Sequence, residues 1–272
     1  MSQIHEITSP TNPKVKFVSS LKDKSSLRKK EGLFVVEGVK IFLEIPENLI
    51  ESVYVTKNVV EDSKNGFSEE IYNKVLKKLE KIPYTLISQD VAKHMSDTVT
   101  PQGIFMVSKM PKYELGSIID NRKKQIFLVL DEIKDPGNMG TIIRTCEGAG
   151  VAAIIMNKCC VDVFNPKVTR STMGSLFRVP FIIEEDLTET VMKLQKSGIT
   201  TYAAHLKGKE YFDDETFKGS VAIFIGNEAK GLSDEITKMA DKLVKIPMEG
   251  RLESLNASVA AAILMYEAKR KI

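Results

Sequence analysis

The stretch VKIPMEGRLESLNASVAAAILMY, residues Val244 to Tyr266, decides how the rest of the chain is read. An apolar run from Leu243 to Ile246 suits a buried strand, and Pro247 ends it because proline has no N–H to give to a sheet ladder. After a loop containing Gly250, either Ser254 or Asn256 can cap a helix. Residues Val259 to Tyr266 are apolar on every side of that helix, which is therefore expected to be buried all round. Ser254, Asn256 and Ser258 fall at the helix start, where free N–H groups can also meet a ligand. On these residues alone, capping and a place in a binding site both stay open.

Outward from this stretch, the second half repeats one rhythm. Short, nearly continuous apolar runs occur at Ile126 to Leu130, Val151 to Met156, Thr200 to Ala204, Val221 to Ile225 and Leu243 to Ile246, with helical patterns between them. Runs of this kind suit strands covered on both faces, so the expected architecture is α/β with a mostly parallel sheet. Polar residues gather after each run. Asp131, Lys134, Pro136, Gly137, Asn138, Gly140 and Arg144 follow the first, and His205 and Leu206 the third. Gly226, Asn227 and Glu228 follow the fourth, and Pro247, Met248 and the Ser254/Asn256 helix start the last. Ligands of open parallel sheets bind outside the carboxyl ends of the strands, so these clusters are expected to converge on one crevice. Gly137 and Gly140 also suit a simple strand-to-helix turn with Asn138 as cap, and Arg144 either points at solvent or reaches back along the helix to the crevice.

Several chemistries lose support. There is no phosphate loop of the G-x-x-x-x-G-K-[ST] type, no nucleophile elbow and no metal-ligand cluster. The string Gly148, Gly150, Ala153 mimics a dinucleotide fingerprint but ends a helix and precedes a strand, the reverse of what that motif requires, so a helix C-cap is expected there. Three cysteines, Cys146, Cys159 and Cys160, make no disulfide framework, and with scattered His5, His94 and His205 they make no zinc site; no metal is expected. No apolar run reaches the roughly 18 residues of a membrane span, and the opening MSQIHEITSP lacks a signal-peptide core, so the cytoplasm is the expected location.

At 272 residues, with 43% hydrophobic and 28% charged side chains, the chain suits about two soluble domains. The polar stretch 111–124 is the expected linker, between a domain at 1–110 and another at 125–272. The first domain alternates α and β. Pro10, Asn12 and Pro13 are expected to form a turn ahead of a basic helix running towards Lys30, strands are expected at Leu33 to Val36, Ser52 to Thr56, Tyr84 to Ile87 and Ile104 to Val107, and Ile71, Val75, Leu79 and Ile82 form a helical stripe. The net charge of +3 proves no partner, but Lys14 to Lys30 holds seven basic residues against one acidic. Lys14, Lys16, Lys22, Lys24, Arg28, Lys29 and Lys30 are expected on the solvent side, as a solvated face or a phosphate-contacting patch.

DPGNMGTIIRTCEGAGV at 135–151, FIGNEAKGLS at 224–233 and IPMEGRLESLNASVAA at 246–261 resemble the three motifs of the SpoU (TrmH-type) RNA ribose 2′-O-methyltransferases of the SPOUT superfamily. FNPKVTRSTMGSLFRVP at 164–180 is similar to the segment between the first two motifs. The first half, with TSPTNPKVKFVSSLKDK and FVVEG, resembles the small α/β substrate-binding domain that precedes the catalytic domain in many members. The resemblance implies a C-terminal SPOUT domain with a deep trefoil knot, a homodimer, S-adenosylmethionine as cofactor, and a structured RNA as substrate, ribosomal ahead of transfer RNA. It puts Asn138, Arg144, Glu228, Ser254 and Asn256 at catalytic positions, and Leu206, Gly226, Ile246, Met248 and Leu255 around the adenosine. Ala229 and Ala257 depart from the glycine and valine common at those places. The alternatives are a non-catalytic RNA-binding protein that keeps the fold, and a nucleotide-cofactor oxidoreductase, which the misplaced glycine string disfavours.

Overall fold

A computed structural model describes residues 6–61, 68–210 and 216–272. The chain divides into two compact units, Met1–Pro111 with Phe164–Phe177, and Lys112–Val163 with Arg178–Ile272. It therefore passes from one unit to the other three times. His5 lies outside the described residues.

In the first unit, Asn12 caps the helix Pro13–Asp23 by accepting from the Lys14 amide at 2.9 Å, with Pro13 at the first helical position, where its missing N–H costs nothing. The expected single basic helix is two. Lys24 is extended at φ −113°, and a second helix runs Ser25–Glu31. Arg28 explains the break. Its guanidinium donates to the Leu21 and Lys22 carbonyls at 2.7 and 2.8 Å, capping the first helix, and the residue is only 3% exposed. Arg28 is thus not on the solvent side, whereas Lys14, Lys16, Lys24, Lys29 and Lys30 are exposed.

The strands of this unit, β1 (Leu33–Glu37), β2 (Ile50–Thr56), β3 (Tyr84–Ile87) and β4 (Ile104–Lys109), lie in the order β1-β4-β2-β3, antiparallel except for β2 with β3. Val15, Val18 and Leu21 of the first helix pack on Val35, Tyr54, Phe105 and Val107 of the sheet. Another face is closed from far along the chain. Phe34 is fully buried, with the Phe164 and Phe177 rings 4.6 and 6.2 Å from its own.

The sheet of the second unit is parallel at every described pairing. Its strands are β5 (Ile126–Leu130), β6 (Ala153–Asn157), β7 (Phe181–Glu184), β8 (Thr200–Glu210), β9 (Val221–Ile225) and β10 (Lys242–Lys245), ordered β10-β8-β9-β5-β6-β7. β7 was not among the expected runs, because an edge strand of four residues with Ile183 42% exposed lacks a two-faced apolar pattern. Tyr113, Leu115, Ile118 and Ile119, from the expected linker, pack against this unit's core. From β5 the chain moves outward to β6 and β7, then returns to the other side of β5 as β8 and β9. The switch point thus falls between β5 and β9, where open parallel sheets bind ligands.

β8 is longer than expected because it leaves the ladder and rejoins it. Tyr202 and Ala203 pair with Lys242 and Leu243, and pairing resumes only at Lys209 with Val244. The return needs a glycine, since a Cβ on Gly208 would lie 2.5 Å from the Val244 backbone. Residues 204–208 form the excursion, which leaves Leu206 61% exposed.

The helix Ala257–Lys271 packs against the helix Pro136–Ala149, with Cys146 Sγ 3.5 Å from Met265 Sδ. It is not buried all round as its composition suggests. Ala261, Leu264, Met265 and Ala268 are buried, but Val259 and Tyr266 are 46% and 52% exposed.

Removing the Phe34 ring should cost the first unit about 3–5 kcal/mol. Phe34→Ala is expected to lower its urea midpoint accordingly, and a fragment ending at Pro111, which lacks Phe164 and Phe177, to bind a hydrophobic dye that the whole chain does not. An unchanged midpoint in Phe34→Ala would show that the three rings do not carry this packing.

Candidate functional site

The carboxyl ends of β5 and β9 carry the first and second motif loops, and the polar side chains there are tied in two layers. In the lower layer Asp131, 4% exposed, accepts from Asn157 Nδ2 at 2.7 Å and from the Ser233 amide at 2.9 Å. A buried carboxylate needs such donors, and these join the ends of β5 and β6 to the start of the helix Asp234–Met239. Glu132, next in sequence, holds φ at +59° without being glycine; its amide donates to Asn157 Oδ1 and its carbonyl accepts from Asn227 Nδ2 at 2.9 Å. Backbone strain held by hydrogen bonds from two other loops is the kind that clusters at functional sites.

The upper layer is built on Glu228. Its Oε1 accepts from the Asp135 amide at 3.2 Å and Asn138 Nδ2 at 3.0 Å, and its Oε2 from the Lys134 amide at 3.3 Å and Asn227 Nδ2 at 3.5 Å. Partial burial pushes this carboxyl up, but the donors from Asn138, its own backbone, Asp135 and Lys134 outweigh burial and hold it below the usual carboxylate range. Asn138 in turn accepts from Asn256 Nδ2 at 2.9 Å. Asn256, not Ser254, caps the last helix, its Oδ1 accepting from the Ser258 and Val259 amides. One hydrogen-bonded row thus joins all three motif segments.

Asn138 does not cap its own helix. Asp135 does, accepting from the Asn138 amide at 2.7 Å with Pro136 following, which frees the Asn138 side chain for Glu228 and Asn256. An aspartate directly before a proline at a helix start was the available signal. The roles of Asp131, Asn157 and Asn227 were not legible, since each depends on partners in other loops. Gly150 caps the far end of the helix at φ +72°, as the reversed glycine string suggested.

The other expected residues flank this row in sequence. Arg144 lies six residues beyond Asn138 on the same helix, exposed, and its guanidinium makes no hydrogen bond or ion pair among the described residues. Ser254 is exposed and Leu255 half-buried in the coil before Asn256; Ile246 is half-buried and Met248 36% exposed after β10. Among the described residues, no backbone hydrogen bond engages residues 248–255. Gly226 closes the second motif turn, where a Cβ would sit 2.2 Å from the Gly231 carbonyl carbon and the Leu232 nitrogen. Cys160 is no nucleophile, because burial pushes its thiol up to about 11. Among the described residues no group of three or more His, Cys, Asp or Glu side chains could hold a metal ion, and no helix is long and apolar enough to cross a membrane.

This row at a parallel-sheet switch point coincides with a family match. Residues 125–266 match the SpoU rRNA Methylase family, and residues 12–106 match the MRM3-like substrate binding domain. The chain belongs to the SpoU rRNA methylase family. It is 31% identical over 261 residues to a Bacillus subtilis 23S rRNA (guanosine(2553)-2'-O)-methyltransferase, RlmP, covering 96% of this chain and 98% of that one. Its fold is similar to an AdoMet-bound rRNA methyltransferase from Sinorhizobium meliloti (TM-score 0.82, 28% identity, 100% and 99% of the two chains). It is similar as well to the SpoU methyltransferase AviRb from Streptomyces viridochromogenes in complex with AdoMet (TM-score 0.80, 26% identity, 96% and 98%). The resemblance drawn from the three motifs is borne out for family and for α/β architecture.

Glu228 supplies a pH-dependent part of stability. Its folded pKa is depressed, so its contribution is complete above the unfolded carboxyl value of about 4.3 and is lost as pH falls through the lower folded value. The stability difference between wild type and Glu228→Gln is expected to be constant above about pH 5 and to shrink below about pH 4. Urea unfolding across that range checks it; a gap that does not narrow in acid would mean the carboxylate is not held in its charged form.

Proposed function

We propose that this protein transfers a methyl group from S-adenosylmethionine to the 2′-hydroxyl of a ribose in a structured RNA, ribosomal rather than transfer RNA. The observation that carries this is the Glu228–Asn138–Asn256 row, which gathers the family's three motifs at one crevice. The name of the full-length Bacillus subtilis relative favours ribosomal RNA.

The residues fit the cofactor. Leu206 and Met248 offer exposed apolar surface, Ile246 and Leu255 are half-buried, and the N–H and C=O groups of residues 248–255, which make no backbone hydrogen bond among the described residues, suit a ligand held by main chain. Gly226 keeps the adjoining turn closed. When bound, S-adenosylmethionine supplies an electrophilic methyl on a sulfonium, so the chemistry is a displacement that needs oxygen, carbon and sulfur in line. Positioning of this kind lowers a barrier by up to roughly 7–11 kcal/mol in favourable cases. Asn138 and Asn256, rigid in their row, orient the ribose. Arg144, exposed and without a partner among the described residues, holds a phosphate or ribose oxygen with its planar fork and stabilises developing negative charge; a guanidinium is a donor only and a poor base. Glu228 acts through Asn138. Ser254 leads into the cap and stands beside the row in sequence.

The first unit grips the RNA, with exposed Lys14, Lys16, Lys24, Lys29 and Lys30 as phosphate contacts. The helix Ala257–Lys271 serves two further roles, as the element tucked through a trefoil knot and as part of a homodimer interface. Val259, Ala262, Ile263 and Tyr266 support the second role, since they form an apolar stripe at helical spacing in which Val259 and Tyr266 are exposed and Ala262 and Ile263 partly so. The protein acts in the cytoplasm on its RNA.

Mapping alkali-resistant 2′-O-methyl positions in RNA from cells with and without the protein tests this reading. A site that disappears on deletion is expected, and tritium transfer from labelled S-adenosylmethionine to deletion-strain RNA should restore it. No transfer to any RNA would leave a non-catalytic RNA-binding protein. Arg144→Lys keeps the charge and loses the fork, and is expected to cut transfer by about a hundredfold or more; near wild-type transfer would remove the bidentate role. Tyr266→Glu is expected to shift a sedimenting dimer towards monomer, and an unchanged dimer would place the interface elsewhere.

A further inference from the structure

Hydrogen-bond polarity along the site row is fixed from one end. Asn256 Oδ1 accepts from the Ser258 amide at 2.9 Å, the Ser258 hydroxyl at 2.7 Å and the Val259 amide at 3.4 Å. Main-chain N–H groups cannot become acceptors, so this atom is an oxygen in any sound arrangement and the amide nitrogen takes the other side. That nitrogen meets Asn138 at 2.9 Å, which makes the Asn138 atom there an oxygen and turns its nitrogen to Glu228. Flipping either amide would set oxygen against oxygen. At the other end Glu228 has its four acceptor sites filled by Lys134, Asp135, Asn138 and Asn227. Each asparagine nitrogen keeps one spare N–H, Asn256 Oδ1 is filled, Asn138 Oδ1 keeps one lone pair, and Arg144 offers only donors. His205 Nδ1 accepts from the Lys207 amide at 3.1 Å, so a neutral ring carries its proton on Nε2.

We infer that Asn138, Asn256 and Arg144 meet the reacting ribose as hydrogen-bond donors and that none is its base, the one spare lone pair, on Asn138 Oδ1, belonging to a neutral amide, so that the protein holds the 2′-oxygen while its proton leaves to water. The inference rests on the methyltransferase reading above. In the step, the C–O bond forms as the C–S bond breaks, the C–S electron pair returns to sulfur to give a thioether, and the hydroxyl proton passes to solvent. Glu228 is a positioning residue that sets the direction of the row. Ser254, at an expected catalytic position and with no hydrogen bond among the described residues, has a hydroxyl that can also accept, so its removal belongs in the test.

The test is single-turnover methyl transfer to RNA from a deletion strain, followed from about pH 6 to pH 10. The titratable and charged side chains in the surrounding loops are Asp131, Glu132, Lys134 and Asp135 before the first helix, His205 and Lys207 in the excursion of β8, Lys230 beyond Glu228, and Glu249, Arg251 and Glu253 before Asn256. Proton loss to solvent predicts a log rate that climbs with unit slope in the wild type, and the same slope in Ser254→Ala whatever its absolute rate. Asn138→Asp and Asn256→Asp replace a donor by an acceptor of the same shape. Each is expected to lose about a hundredfold in kcat with KM for S-adenosylmethionine within about threefold. Should Asn138→Asp fail to fold, Asn256→Asp keeps the helix cap and carries the test. A rate plateau with a midpoint between about pH 6 and pH 9 that vanishes in Glu228→Gln or Ser254→Ala would overturn the proposal, as would near wild-type kcat in both aspartate variants. Carboxyl NMR gives a readout apart from activity: in Asn138→Asp the two carboxyls about 3 Å apart should share a proton, with one titrating well above the usual range, and two ordinary titrations would overturn the assigned polarity. If wild type transfers no methyl group, the methyltransferase reading fails, and this NMR arm still reports on the row.

Discussion

Four donors from two loops converge on the Glu228 carboxylate, and much of the second unit's site depends on that convergence. The Lys134 and Asp135 amides leave β5, Asn227 leaves β9, and Asn138 opens the helix Pro136–Ala149. These strands are parallel neighbours, so their following loops emerge on one edge of the sheet and must be held apart or tied together. A carboxylate filled by donors ties them and stays charged while doing so, since hydrogen bonds to the charged form offset its partial desolvation. Asp131 does the same below it for β5, β6 and the Ser233 turn. Two carboxylates stacked under a crevice leave the asparagines above them little freedom.

The same logic explains why the third motif comes last in the chain yet joins the row formed by the first two. Asn256 caps the final helix with its oxygen and spends one N–H on Asn138, so one side chain ends the coil, starts the helix and joins the site. The coil before it makes no backbone hydrogen bond among the described residues, and a segment left open in this way is suited to close on a ligand. On the proposed reading, the asparagines orient the ribose and the main chain beside them holds the cofactor.

Energetically the two units are built differently. The second relies on a parallel sheet whose strands are buried on both faces, as at Ile126–Leu130 and Val221–Ile225. The first has a smaller mixed sheet, and it completes its core around Phe34 with rings supplied by residues 164–177. This segment lies between the first two motifs in sequence, so the sheet of one unit and the packing of the other are covalently continuous on both sides of it.

The sequence by itself determined the α/β class, the parallel character of the second half, the place of the first, fourth and fifth apolar runs, and the residues of the three motifs. The class and the runs follow from apolar period and turn chemistry, which are local, and the motif residues from their likeness to the family. Tertiary structure alone decided that Asp135 and Asn256 are the caps, that Arg28 is buried across a helix break, that β7 forms an edge, and that the final helix keeps an apolar stripe open. It alone placed Asn138 against partners 90 and 118 residues away. No local pattern reports such separations: an asparagine reads alike whether its amide caps a helix, faces water or completes a row begun at another strand, and only the fold brings the donors that fix which way it points.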